Sequence, residues 1–217
     1  MRYRRADIVT RAVALLDAYG LGDLSMRRLG GELGVQPSAL YHHFANKQTL
    51  LAAVADEVLR LGARPAPAAD AAWDDVVRHV CGELRDAVLA YRDGAELVAT
   101  VHAFGLGALE PARRLESSLA AAGFDPSLAS AGARTLLHYV FGHAADEQAY
   151  LQAGSAGAVD GPPRSTSDFD LGLSLIVDGL AVRLPVPELP RGVDVRALQG
   201  GEVDGAGEVE ARTPQGR

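Results

Sequence analysis

The chain is predicted to be all-α: an N-terminal three-helix domain containing a helix-turn-helix, followed by a larger helical bundle. Three observations predict this. Apolar residues recur every three or four positions in segment after segment, the spacing of one helix face. Each segment is bounded by Gly, Pro, Ser or Asn at positions suited to starting or stopping a helix. No alternating strand pattern and no internal repeat is present in the 217 residues.

The first segment carries Ile8, Ala12, Leu15, Leu16 and Tyr19 on one stripe and stops at Gly20. Ser25 is suited to cap a second, short helix with Met26, Leu29 and Leu33 inward, ended by Gly34. Gly30 and Gly31 lie inside that helix and each weakens it by about 1 kcal/mol relative to Ala, so tertiary packing must hold it. Gln36 and Pro37 open a third helix, because the first turn has no use for the N–H that proline lacks. Leu40, Tyr41 and Phe44 form its inward side, and Ala45-Asn46 is expected to break it. A fourth helix begins at Asn46 or Lys47, with Leu50, Leu51, Val54, Val58 and Leu61 at core spacing.

These boundaries divide the chain into a head, 1–46, a connecting helix, 47–61, and a Pro/Ala-rich linker, 62–72. The remaining body, 73–184, reads as helices from Asp74 to Tyr91, Ala95 to Leu106, Glu110 to Ala122, Ser127 to about Gln152, and Asp168 to Leu184. In the last of these, Phe169, Leu173, Ile176, Val177, Leu180 and Leu184 form one stripe, while Leu171, Leu175 and Val182 lie on another face. A helix apolar nearly all round is expected to be covered twice, by its own core and by a second subunit. Residues 185–217, rich in Gly and Pro with scattered charge, read as a disordered tail, and the 154–167 loop as flexible by composition.

Composition narrows the class. The N-terminal arginines resemble a signal peptide, but Asp7, Arg11 and Asp17 interrupt the apolar stretch at helical spacing and exclude that reading. No apolar run approaches the roughly 18–20 residues that span a bilayer. A single cysteine, Cys81, forbids an intrachain disulfide and suits a cytoplasmic protein; it is expected to be a small buried residue. The net charge of −7 is uneven: residues 1–50 hold seven basic against four acidic side chains, +3, which leaves −10 for the rest. A basic head on an acidic body fits a polyanion partner.

The stretch QPSALYHHFANKQTLL, 36–51, concentrates the chemistry. A short helix, a tight turn at Gly34 and a second short helix form the arrangement that lays its second helix in the DNA major groove. Gln36, Ser38, Ala39, His42 and His43 face outward, with Tyr41 partly packed. Gln and His can bond base edges, Ala39 can touch a thymine methyl, and Ser, Tyr and Lys suit phosphate oxygens. Lys47 adds its charge to the positive N-terminal end of the connecting helix, so both favour a phosphate there. Arg27 is a candidate phosphate or base contact, against the alternative of a solvated arginine. His42 and His43 point about 100° apart as helical neighbours, which argues against a shared metal. His143 and Glu147, at i,i+4 with His138 and Asp146 nearby, could hold a metal for hydrolysis, or form a polar strip at a subunit boundary. Trp73 and Tyr91 are read as packing anchors.

With these residues in view, Ile8 to about Leu61 resembles the DNA-binding domain of the TetR family of bacterial repressors, through LSMRRLGGELGVQPSALYHHFANKQTLL, 24–51. The resemblance implies a homodimer with no resident cofactor, whose heads bind operator DNA and whose 73–184 bundle binds a small-molecule effector and dimerises. It implies that Arg27, Gln36, Pro37, Ser38, Ala39, Tyr41, His42, His43 and Lys47 contact DNA. Gly30 stands where the family usually has Ala, which suggests a looser brace helix. Residues 73–98 and the helices after them resemble the C-terminal domain of the tetracycline-responsive members. On that pattern the drug- and magnesium-binding positions fall on Ala63, Val80 and Val98, which cannot hold a metal. A tetracycline–magnesium effector is therefore not expected. An apolar or amphipathic one is, lined by Val80, Leu84, Val98, Val101, His102 and Phe104, with His102 either a pocket hydrogen-bonder or a satisfied core residue. The function expected is ligand-responsive repression at a palindromic operator, in the cytoplasm and not at a membrane. The alternatives are an activator or architectural DNA binder without a ligand, or a metal-dependent hydrolase.

Overall fold

The N-terminal turn of the chain is set by Asp7, whose carboxylate accepts the Arg4 N–H at 2.8 Å and starts α1, Arg5–Tyr19. Gly20 ends it at φ +81°, a conformation that favours glycine. Ser25 Oγ accepts the Arg28 N–H at 3.2 Å to open α2, Met26–Leu33, and Gly34 closes it in the left-handed region at φ +66°. The sequence placed Gly20, Ser25 and Gly34 correctly, and the Asp7 cap is an addition of the structure.

The computed structural model describes residues 3–155 and 168–184. After α2 come α3, Pro37–Tyr41; α4, Lys47–Leu61; α5, Trp73–Leu89; α6, Gly94–Ala103; α7, Glu110–Ala121; α8, Pro126–Ser155; and α9, Phe169–Ala181. Among the described residues there is no strand, and no helix is long and apolar enough to cross a membrane. The tail, 185–217, and residues 156–167 of the loop before α9 lie outside the described residues.

Helices α1 to α3 pack around Leu16, Leu24, Leu29, Leu40 and Phe44, each at most 2% exposed. α4 leaves that core and packs on both α1 and α6, so it belongs to head and body at once. In the body α7 and α8 pack on α5, and α9 lies against α8. The Trp73 ring meets Phe124 edge-on at 5.3 Å, which makes it the packing anchor expected. Cys81 is fully buried, and burial pushes its thiol up to about 12, so it stays protonated and inert at neutral pH.

Three expectations change. Helix α3 ends at Tyr41, with His42 and His43 in the turn after it, because Phe44 must swing inward before Asn46 caps the next helix. Tyr41 and Leu61, expected inward, are 51% and 49% exposed. The brace helix is tight at Gly30, not loose: a Cβ there would meet the Val35 carbonyl oxygen at 2.9 Å. That oxygen sits in the turn the glycine helps to close, since Gly30 O accepts the Val35 N–H at 2.9 Å. Gly31, by contrast, is exposed and its added Cβ would meet nothing within 4 Å. Gly31→Ala is expected to raise stability by about 1 kcal/mol through helix propensity alone, read as a higher urea midpoint.

Candidate nucleic-acid interface

Leu40 and Phe44 anchor α3 from behind, and the Arg5 guanidinium covers the Phe44 ring at 4.9 Å. What remains outward is a short polar face. Gln36, Ser38, Tyr41 and His42 are exposed, while Pro37, Ala39 and His43 are half-buried. Arg27 is exposed on α2, whereas its neighbour Arg28 is occupied: its guanidinium lies 3.8 Å from the Tyr19 ring centroid and 3.4 Å from Asp23 Oδ1.

Lys47 is the first residue of α4. Asn46 Oδ1 accepts the Thr49 N–H at 2.9 Å, and Thr49 Oγ1 accepts the Asn46 N–H at 3.2 Å. This reciprocal cap fixes where α4 begins, and so fixes Lys47 relative to α3. Polar side chains on a short rigid helix, beside a lysine on a helix N-terminus, can bond base edges and phosphates together.

Among the described residues, polar ties besides the α4 backbone join the head and α4 to the body. Asp93, at φ +54°, accepts the Leu21 N–H on Oδ2 and the Gln152 amide N–H on Oδ1, both at 2.8 Å. It thereby links the α1–α2 corner to the end of α8. The fit is close, since a Cβ on Gly20 would sit 2.5 Å from Asp93 Oδ2. On the other side Asp56 of α4 accepts the Ala108 N–H at 2.7 Å, and Ala108 turns the α6–α7 corner at φ +56°.

The body contains a cavity of about 320 Å³ where α4, α5 and α7 meet. Leu59, Ala63, Leu84, Ala87 and Pro111 give it an apolar lining, and Asp56, Arg60, Glu83, Glu110 and Arg114 give it charge. Of the six residues expected to line a pocket, Leu84 does so here. Val80, Val98 and Val101 are core residues at most 2% exposed, and Phe104 is 69% exposed on the corner after α6. Helical spacing marks which residues turn inward, but a closed core and a cavity wall have the same spacing. His102 is half-buried and bonded within the protein, its Nδ1 3.1 Å from Ala108 O and its ring 5.6 Å from that of Phe141.

Glu83 is one of the charged residues that the sequence did not single out. It is 8% exposed, accepts the Arg64 N–H at 2.8 Å, bonds Arg114 and lies 3.3 Å from His79 Nε2. Its i,i+4 spacing from His79 was the available signal. Glu147, a candidate metal ligand by spacing, instead takes a two-pronged bond from Arg85 at 2.7 and 3.1 Å. His143 Nδ1 stands 3.6 Å from Glu147 Oε2, and His138 is exposed. Among the described residues, no three His, Cys, Asp or Glu side chains converge on a common point.

A helix-turn-helix head carried on an all-helical body defines a DNA-binding regulator. Residues 8–54 match the family of bacterial regulatory proteins described as tetR, and residues 65–166 match the tetracyclin repressor-like C-terminal domain. The chain is 34% identical over 194 residues to the class A tetracycline repressor from transposon 1721 of Escherichia coli, covering 81% of this chain and 89% of that protein. It is also similar to the crystal structure of Mycobacterium smegmatis BioQ, at 44% identity and a TM-score of 0.77 over 83% of this chain and 99% of that one. A second BioQ structure, solved with its double-stranded DNA operator, matches at 41% identity and a TM-score of 0.69 over 83% and 99%. The chain belongs to the TetR family of bacterial transcriptional regulators.

Proposed function

We propose that this protein is a ligand-responsive transcriptional repressor that acts as a homodimer on a palindromic operator and is not an enzyme. The carrying observation is the exposed face of α3, braced by Leu40 and Phe44 and flanked by Lys47 at a doubly capped helix start. The operator-bound neighbour supports DNA as the partner. Arg27, Gln36, Pro37, Ser38, Ala39, Tyr41, His42, His43 and Lys47 are the contacts assigned by this reading. Leu171 and Leu175 on α9 and Val182 just after it, at 65%, 69% and 85% exposed, are apolar side chains suited to a second subunit. Two heads would then meet successive major grooves about 34–36 Å apart.

The cavity between α4, α5 and α7 is the effector site in this reading. An effector there touches α4 directly, and it releases DNA to the extent that it prefers the conformation in which the heads no longer match the operator spacing. The protein would work in the cytoplasm, on the nucleoid.

The test is binding to the protein's own upstream DNA across a salt series. Lys47→Ala is expected to weaken all sequences alike and to lower the salt slope by about two, at roughly 0.9 per phosphate contact and two heads per dimer. A drop near one would point to a single head at the operator. His42→Ala is expected to relax specificity at one base position by about 1–3 kcal/mol while leaving the slope unchanged. Binding that neither substitution alters would remove α3 and Lys47 from the interface.

A further inference from the structure

The charges around the cavity are unevenly satisfied, and the imbalance selects a ligand class. Arg60 donates both Nε and Nη2 to Glu57 at 2.7 Å, and Arg114 is paired with Glu83. Both cationic lining residues are therefore already paired, and Glu83 is itself filled by Arg114 and the Arg64 N–H. The two remaining charges are both negative. Glu110 is exposed and only 4.0 Å from Arg113, too long for a firm pair. Asp56 accepts the Ala108 N–H on Oδ1, while among the described residues its Oδ2 takes no bond. The rest of the lining, Leu59, Ala63, Leu84, Ala87 and Pro111, is apolar.

We propose that the cavity takes an amphipathic cation, a protonated amine on a compact apolar body, with the amine bonded to Asp56 and the body on the apolar wall. This rests on reading the cavity as the effector site. An ammonium group on Asp56 would form an ion pair as well as a hydrogen bond, an alcohol would donate without a charge of its own, and a carboxylate would meet two like charges. The assignment also says how the ligand reaches the head. Asp56 is the residue that ties α4 to the α6–α7 corner through the Ala108 N–H, so the amine and that N–H draw on one carboxylate.

The experiment uses the full chain and three probes of one shape: 4-phenylbutylamine, 4-phenylbutanol and 4-phenylbutyrate. Calorimetry gives each affinity at neutral pH, and release of upstream DNA is followed in parallel. The amine is expected to bind about tenfold more tightly than the alcohol, with the carboxylate weakest. Asp56→Asn, which keeps an oxygen for the Ala108 N–H, is expected to bring amine and alcohol within about twofold of each other. The ranking in the unaltered protein decides alone if that variant folds poorly. Alcohol or carboxylate binding as tightly as the amine, or no binding by any probe, overturns the proposal. Amine binding in the expected order without DNA release upholds the ligand class and overturns the effector reading. Absence of salt-dependent binding to the upstream DNA overturns the regulator reading separately.

Discussion

Gly62→Ala is expected to destabilise the protein by about 2–3 kcal/mol, the cost of overpacking a site that cannot yield. The backbone at Gly62, φ −84° and ψ −1°, is open to any residue, so space and not conformation is the constraint. A Cβ there would lie 2.8 Å from Ala87 Cα and closer still to Ala87 Cβ. Neither atom can rotate away, as the tip of a long side chain could. The end of α4 must therefore lift from α5. Thermal denaturation should show the loss as a fall of roughly 5–10 °C, from the 2–4 °C per kcal/mol typical of a domain this size. The same displacement opens the cavity wall, since Ala63 follows Gly62 and Ala87 is the residue struck. Unchanged stability in this variant would mean that α4 and α5 do not approach as closely as the structure has them.

Glu83→Ala is expected to cost about 3 kcal/mol, because removing one partner of a mostly buried charge network leaves the others stranded. The Arg114 guanidinium and the Arg64 N–H would lose their acceptor, and His79 its neighbour. The effect should depend on pH in a determined direction. Burial alone would raise the Glu83 carboxyl, but the Arg64 N–H, Arg114 and His79 outweigh it and hold the group below its usual range. A folded-state pKa below the unfolded one contributes stability in full above the unfolded value, around pH 4–5, and loses it as pH falls through the folded value. The gap between wild type and Glu83→Gln in urea midpoint should thus be widest near neutrality and shrink in acid. A gap that widens on acidification would contradict the assignment.

How much was legible in the sequence follows from the range of each interaction. The caps at Gly20, Ser25, Gly34, Pro37 and Asn46 act within three or four residues, and each was readable. The exposed face of α3 was readable for the same reason, as inward Leu40 and Phe44 leave few outward positions on so short a helix. The end of α3 was misplaced because His42 and His43 are compatible with helix, and only the burial of Phe44 against the head shortens it. The long-range polar ties were not readable at all. Asp93 and Leu21 are 72 residues apart, Arg85 and Glu147 are 62, and Asp56 and Ala108 are 52. Charged residues at such separations leave no periodic trace.

The sequence by itself thus determined the helices, their punctuation and which face of α3 is left exposed, because capping and amphipathic spacing are local. The tertiary structure alone decided which inward residues are core and which wall a cavity, since Val98 and Leu84 sit at equally apolar, inward positions and only neighbouring helices distinguish them. It also decided that the charge left over at that cavity is negative. Pairing depends on which arginines fold beside which carboxylates, and that is a property of packing, not of order along the chain.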